Sequence, residues 1–485
     1  MAVGEAGLAA QRGKRLTGVG GGSTMAAASA AMRGATVTQF RCKGPAMSTH
    51  ASRRDFLKAS AAAGAVLAGG LSLARSAHAA GSDELKVALI GCGGRGTGAA
   101  MNCLEADEAV RIVAVADAFE DKARGAAGNL KKNKQYGSRV DLPDERVFFG
   151  LDAYQKAIDS GVDMIVTATP PGFRPMIYAA AIKAGKHVFM EKPCCVDAPG
   201  FNSLMETNKL ADEKGLKVGV GFQRRHSPNY METVKRIHEG AIGDLTLLRA
   251  YWNGGGIWNR PRKEGMTEMQ YQVNNWYHFC WLSGDNICEQ HIHNLDVCNW
   301  VKNDHPVEAN GMGGCELRYR GDNRGTGQIF DHHFVEFTYA DGTKMYSQCR
   351  HQANTWGNVS EAVHGTKGTS NCAGNIEGEN AWKFEGQRAG RGKFANSMVQ
   401  EHKDLIDAIR SGTKYNEGWH GATSSMTAVL GRMATYSGQV VKWDDAIAKG
   451  TSEFPATLAW DAPAPVKPDE NGDYPIPMPG VYKAY

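Results

Sequence analysis

The 485-residue sequence has 11 cysteines but no C-x-x-C pair and no regular spacing among them, which argues against a disulfide scaffold and against a structural zinc site. It also lacks an uncharged run of the ~20 residues that a spanning helix needs. The nearest candidate, the Ala/Gly/Leu stretch between Lys58 and Arg75, falls short, so no stable membrane anchor is expected. Net positive charge is missing from the body of the chain. Residues 1–80 hold ten Lys and Arg against two acids, Glu5 and Asp55, leaving 45 against 49 in the rest. The formal charge of +4 therefore belongs to the leader, and the body has no basic footprint for nucleic acid. Internal repeats are absent, as are low-complexity tracts beyond the leader.

What is present begins with that leader. Arg53 and Arg54 stand side by side, Phe56, Leu57 and Lys58 follow, an uncharged stretch runs to Arg75, and Ala77-His78-Ala79 closes it as an A-x-A cleavage site. Residues 47–80 thus read as a twin-arginine signal peptide, with the export machinery as a partner and a periplasmic or otherwise exported destination. Residues 1–46 are Gly/Ala-rich without hydrophobic periodicity and read as a non-native extension upstream of Met47. The twin-arginine route is known for carrying proteins already folded, which implies that any coenzyme inside is tightly bound.

After the leader come signs of a dinucleotide site. A short apolar strand, Lys86 to Ile90, leads directly into Gly91-x-Gly93-x-x-Gly96, and Ala99 to Leu104 reads as a helix opening behind it. Glycines there permit a tight turn and close approach of the backbone to a pyrophosphate, while the helix N-terminus faces its charge. A second buried strand, Arg111 to Ala116, ends in Asp117, where a carboxylate can accept from ribose hydroxyls and repel a 2′-phosphate. NAD is therefore favoured over NADP. Strands and helices keep alternating through "VDMIVTATPP", Met176–Ala184, "KHVFMEKP", Phe201–Lys214 and "KVGVGFQRR", as a doubly wound parallel sheet requires. Thr169-Pro170 and Glu191-Lys192-Pro193 fall at carboxyl ends of its strands, where such sheets bind ligands.

Taken in order, "GCGGRG", "TPPGFRPMIYAAAIKAGKHVFMEKP", "VGVGFQRRHSP", "HGTKGT" and "NEGWHGATSSMTAVLGRMATYSGQVVKWDD" resemble the Gfo/Idh/MocA oxidoreductases, the family of glucose-fructose oxidoreductase and inositol dehydrogenase. The resemblance runs from about residue 83 to 450. It implies an α/β fold with an N-terminal Rossmann domain, 81–222, and a C-terminal α+β domain, 223–450, built on a large, mainly antiparallel open sheet. Longer strands after residue 223 suit this: "DHHFVEFTYADGTKMYSQCRH" reads as a hairpin about Asp341-Gly342, and "VSEAVHGTKGTSNC" as a strand pair turned at Gly365 to Gly368. Glu401–Ile409 and Ala422–Tyr436 read as closing helices, and 451–485 as a Pro-rich tail with little periodic signal, a surface arm. At the coenzyme the expected residues are Gly91, Gly93, Gly94, Arg95, Gly96, Asp117, Thr169, Pro170, Glu191, Lys192 and Gln223. The family often assembles through the outer face of the second sheet, so a homodimer or homotetramer is expected.

The family's chemistry falls on Lys192 and on "GDNICEQHIHNLDVCNW". Oxidising a hydroxyl needs a base for its proton and a cation beside the developing alkoxide. The resemblance implies that the lysine of E-K-P assists and that a histidine, four residues after a carboxylate, is the acid/base. His293 and Glu289 hold those places, with Asp296 three residues further on. On one helix Glu289, His293 and Asp296 share a face. Many members have Asp where Glu289 stands, and His291 is an additional imidazole, so which histidine carries the proton is open. Helical spacing favours His293 and leaves His291 to substrate contact or packing. Glu289, His291 and His293 are ligand types zinc accepts, but they lack the i, i+4 histidine pair, and no metal is expected. His332 and His333, adjacent in a strand, point to opposite faces and read as structural. Trp252, Asn253, Trp258, Asn259 and Arg260 form an aromatic and hydrogen-bonding set suited to carbohydrate. The expected function is hydride transfer between a nicotinamide coenzyme and a sugar, cyclitol or glycoside. The alternative is an NAD-dependent glycosidase or lyase that oxidises transiently and returns the hydride to its retained NAD.

Overall fold

Buried on both faces, the strands of the first half could only sit at the centre of a covered sheet. In a computed structural model, which describes residues 83–318, 324–386 and 396–485, they form six parallel strands in the order β3-β2-β1-β4-β5-β6. These are β1 (Leu85–Ile90), β2 (Val110–Asp117), β3 (Val147–Phe149), β4 (Met164–Thr167), β5 (His187–Met190) and β6 (Val218–Val220). The readings for 1–46 and 47–80 lie outside the described residues. Register decides where a site can form: Ile90 pairs with Ala116 on one side and Thr167 on the other. The carboxyl ends of β1, β2 and β4 are therefore level, and Gly91, Asp117 and Ala168 emerge at one edge.

Among the described residues the second sheet has nine strands, in the order β14 (Trp382–Lys383), β13 (Asn375–Gly378), β12 (Gly368–Ser370), β11 (Asn358–Gly365), β7 (Leu245–Gly254), β10 (Lys344–His351), β9 (His332–Tyr339), β8 (Pro306–Gly314) and β15 (Val441–Lys442). At its centre β7 (Leu245–Gly254) runs parallel to β10 (Lys344–His351) and antiparallel to β11 (Asn358–Gly365). The Asp341-Gly342 hairpin joins β9 (His332–Tyr339) to β10, and β11 pairs antiparallel with β12 (Gly368–Ser370), as the sequence suggests. On β10 Met345, Ser347, Cys349 and His351 are buried while the residues between them are not, so one face packs and the other is open. The packed face lies under helices Ile292–Lys302 and Gly418–Ser437. Close approach of the latter needs Gly431, where a Cβ would stand 2.7 Å from the Phe337 ring.

Three features differ from a simple reading of the sequence. Helix Ser397–Ser411 packs on Gly94–Ala106 and β6, and its Leu405 and Ile406 join the first sheet's core. Glu289, His293 and Asp296, expected on one helix, fall on two, Asn286–Glu289 and Ile292–Lys302, separated at Gln290-His291. After Lys449 the chain has no helix or strand, yet Ala464 and Tyr474 are buried, so this arm is packed rather than merely superficial. Among the described residues no helix is long and apolar enough to cross a membrane.

Candidate active site

At the level edge of the first sheet the chain makes a cradle. Gly91 has φ +94°, and a Cβ there would lie 2.6 Å from the Ala168 carbonyl carbon and the Thr169 nitrogen. A Cβ on Gly96 would overlap the Gly91 carbonyl, whereas Gly93 and Gly94 face open space. Gly93 caps helix Gly94–Ala106 without a side-chain bond, leaving first-turn amides for an anion. Asp117 closes β2, its carboxylate accepting from the amides of Cys92 at 2.7 Å and Phe119 at 3.0 Å. Burial pushes its pKa up and those bonds oppose the shift. The cavity so formed is about 370 Å³, and Gly91, Gly93, Gly94, Arg95, Gly96, Asp117, Thr169 and Pro170 line it as expected for a dinucleotide. Open glycines before an uncapped helix and a carboxylate at the next strand's end suit a pyrophosphate and an adenosine ribose, so the residues present fit a nicotinamide coenzyme.

Glu191, Lys192 and Gln223 follow β5 and β6 and stand beyond that cavity's lining. Glu191 is buried and ion-paired with Arg95 at 3.0 Å. Lys192 Nζ donates to the Glu289 carbonyl at 2.5 Å and to its carboxylate Oε1 at 3.0 Å, linking the end of β5 to helix Asn286–Glu289. Burial raises the Glu289 pKa, with the cations of Lys192 and Arg174 acting against it. Arg174, buried at the start of helix Arg174–Lys183, donates to the Pro193 carbonyl and, at 2.6 Å, to that of Thr169. It thereby ties together the two strand ends that carry the site. Sequence reasoning overlooked it; the signal was an arginine within a strand-to-helix turn otherwise apolar.

His293 is stacked on Trp252, centroids 6.0 Å apart, with the edge of Phe222 at 6.2 Å. Burial pushes its pKa well down, and Lys192 and Arg224 depress it further, so its ring is neutral at neutral pH. Arg224 is held against buried Glu361, which also accepts from Asn294 at 2.6 Å. Neither residue was picked out from the sequence. His293 Nδ1 and Glu289 Oε2 are both buried without a hydrogen-bond partner.

His291 points elsewhere. Its Nε2 lies 2.7 Å from Ser347 Oγ on β10, and burial lowers its pKa to about 3. Asp296 also departs from the expected shared face, because the helix is interrupted before His293. Both its oxygens accept from Arg225, the closest contacts at 2.9 Å, and Ser424 Oγ donates at 2.8 Å. The structure thus brings together Lys192, Glu289 and His293 and turns Asp296 to an ion pair. His332 is exposed beside Asp331, while His333 is buried against Thr435, on opposite faces as read. Of the set assigned to carbohydrate, Trp252 is at His293, but Trp258 and Arg260 line the nucleotide cavity, because their loop folds back over the first domain.

A family model described as "Oxidoreductase family, NAD-binding Rossmann fold", GFO/IDH/MocA, matches residues 85–222. This segment, the first domain, is thus similar to the NAD-binding Rossmann domain of the Gfo/Idh/MocA oxidoreductases. A second model, the twin-arginine translocation signal sequence, matches residues 50–70, so the chain carries an export signal of that pathway. Inositol 2-dehydrogenase of Rhizobium meliloti (strain 1021) is 33% identical over 138 residues, 28% of this chain and 36% of the relative. That of Klebsiella pneumoniae (strain 342) is 28% identical over 221 residues, 46% of this chain and 55% of the relative. The chain therefore spans between a third and just over half of these relatives. The crystal structure of scyllo-inositol dehydrogenase from Lactobacillus casei, with bound NAD(H) and scyllo-inositol, shares the fold. Its TM-score is 0.55 at 19% identity, covering 75% of this chain and all of that one. The match of residues 85–222 to an NAD-binding Rossmann model supports a nicotinamide coenzyme in the first domain.

Proposed function

We propose that this protein is an exported oxidoreductase moving a hydride between a nicotinamide coenzyme and a hydroxyl or carbonyl of a sugar, cyclitol or glycoside. The observation that carries the reading is the meeting of Lys192, Glu289 and His293 past the end of β5, with Glu289 Oε2 and His293 Nδ1 buried and unpartnered. Native interiors satisfy nearly all buried polar groups, so a ligand hydroxyl at this cluster would complete two that the chain itself leaves unpaired. When bound, the nicotinamide supplies the hydride acceptor or donor. A neutral His293 accepts the hydroxyl proton at nitrogen, and Lys192 Nζ places positive charge where alkoxide develops. Glu289 holds the ammonium in position and keeps the net charge of the pair near zero. Lys192→Ala and His293→Ala are each expected to fold and keep nucleotide while losing about 10² to 10⁴ in turnover on the active carbohydrate. Glu289→Gln should cost less, and His291→Ala should lower stability rather than turnover. Steady-state kinetics on a panel of sugars and cyclitols decide this. Near-normal turnover in His293→Ala together with its loss in His291→Ala would transfer the role. Net formation of NADH, set against release of an aglycone without net redox change, distinguishes a dehydrogenase from a glycosidase.

The coenzyme we assign is NAD, held tightly enough to leave the cytoplasm with the folded chain. Asp117 supports the choice, since a 2′-phosphate beside that carboxylate would be repelled. Mass spectrometry of nucleotide released on denaturation should find NAD(H); recovery of mainly NADP(H) would overturn the assignment. Asp117→Ala is expected to loosen discrimination, because Lys122 and Arg260 line the same cavity and would favour the extra phosphate. We further infer a homo-oligomer formed through the open face of the nine-stranded sheet, where Met312 is 74% exposed and Phe334 lies next to it in register.

A further inference from the structure

The second domain lends the nucleotide cavity part of its wall: Trp258, Arg260, Val273 and Trp276 line it opposite Phe119 and Phe173. That wall is internally stapled. Asn275 accepts from the Arg260 amide at 2.8 Å and donates to its carbonyl at 2.6 Å, and the Arg260 guanidinium lies 3.9 Å over the Trp258 ring. The short helix Glu268–Asn274 connects these residues, so whatever holds the helix holds the wall.

The C-terminal arm holds it. Thr267 Oγ1 donates to the Trp460 carbonyl at 2.6 Å and Gln272 Nε2 to that of Val466 at 2.6 Å, while the Tyr474 hydroxyl donates to Glu268 at 2.5 Å. The Tyr474 ring also packs edge-on against Phe279 at 5.0 Å. The same arm supports the opposite wall, for Trp460 lies 5.3 Å from Phe119 and Phe454 lies 5.5 Å from Phe173. We propose that residues 451–485 are a retaining strap, in which Phe454, Trp460 and Tyr474 are positioning residues that fasten the wall from Trp258 to Trp276 over the bound dinucleotide. This rests on the inference that the coenzyme is retained, and is independent of which carbohydrate is turned over. Prolines 455, 463, 465, 468, 475, 477 and 479 restrict the unfolded arm, so few contacts suffice to order a segment with no regular hydrogen bonding. A strap fastened to both walls slows release of the dinucleotide without touching its reactive end.

The test is the dissociation rate of NAD(H) from purified holoprotein without any sugar, followed by nucleotide fluorescence and by nucleotide retained after desalting. Trp460→Ala is expected to raise the rate tenfold or more, and Tyr474→Phe, which keeps the ring and removes the hydroxyl's bonds to Glu268 and from Arg262, several-fold. Met478→Ala, at an exposed arm position, should leave it unchanged. The melting temperature of the nucleotide-free Tyr474→Phe protein should stay at the wild-type value, since a merely structural role would shift it without a selective change in release. If wild type releases nucleotide slowly and both Trp460→Ala and Tyr474→Phe match it, the strap is overturned while retention stands. Rapid release from wild type overturns retention itself.

Discussion

At the scale of single residues, burial is what suits His293 to the base role proposed for it. An exposed histidine near its ordinary value of 6.5 would be partly protonated at neutral pH, whereas burial and the cations of Lys192 and Arg224 keep this ring neutral. The sign follows directly: a lowered pKa leaves the acceptor form in place as pH falls, and only below the ordinary histidine range is it lost. The acid limb of kcat/KM is therefore expected below pH 6.5. Measured pH profiles check this, and an acid limb at or above 6.5 would mean the imidazole is not depressed or is not the base. Arg174 illustrates the opposite case, a residue whose importance comes wholly from two carbonyls that the fold brings to it.

Among the elements, the docking of helix Ser397–Ser411 beside the first sheet includes a charged contact. His226, in the turn after β6, has Asp404 of that helix 2.6 Å from Nδ1 and Glu417 3.1 Å from Nε2. Burial alone would lower its pKa, but the two carboxylates outweigh it and raise it to about 10. A folded pKa above the unfolded value near 6.5 gives stability that is complete below 6.5 and lost as pH rises through about 10. Urea midpoints of the wild type should therefore decline between pH 6.5 and 10 more steeply than those of His226→Gln, which should be less stable at the low end by about 1–3 kcal/mol. Parallel slopes would show that the ion pair contributes no differential stability. The interrupted helix before His293 also belongs to this scale, since the break rotates Asp296 to Arg225 and leaves Glu289 with Lys192.

For the whole molecule, the twin-arginine leader and the nucleotide cavity bear on each other: under the proposal of a retained coenzyme, folding and loading precede export. Changing both Arg53 and Arg54 to Lys is expected to hold the full-length precursor inside. Fractionation with an antibody to the chain reads this out, and unchanged export with processing after Ala79 would exclude the pair as the routing signal. The tight fit of the two domains around the cavity is consistent with that order, because the walls come from residues 91–177, 258–276 and, through the arm, 454–474.

Much of this was legible in sequence order because it is local. A strand, three spaced glycines and a helix are contiguous, their conformations follow from sterics and periodicity, and Asp117 ends the next strand, so the Rossmann sheet and the nucleotide cradle could be read residue by residue. The signal peptide is likewise a linear pattern. Tertiary structure alone decided the rest: that Trp258 and Arg260 face the nucleotide, that Arg174, Arg224 and Glu361 surround the candidate centre, that His291 bonds to Ser347, and that a tail without periodicity is packed. Apart from Arg174 to Thr169, these are contacts between residues tens to hundreds of positions apart. No hydrophobic period or spacing rule records such a contact, because its energy arises only when two surfaces meet and water leaves between them.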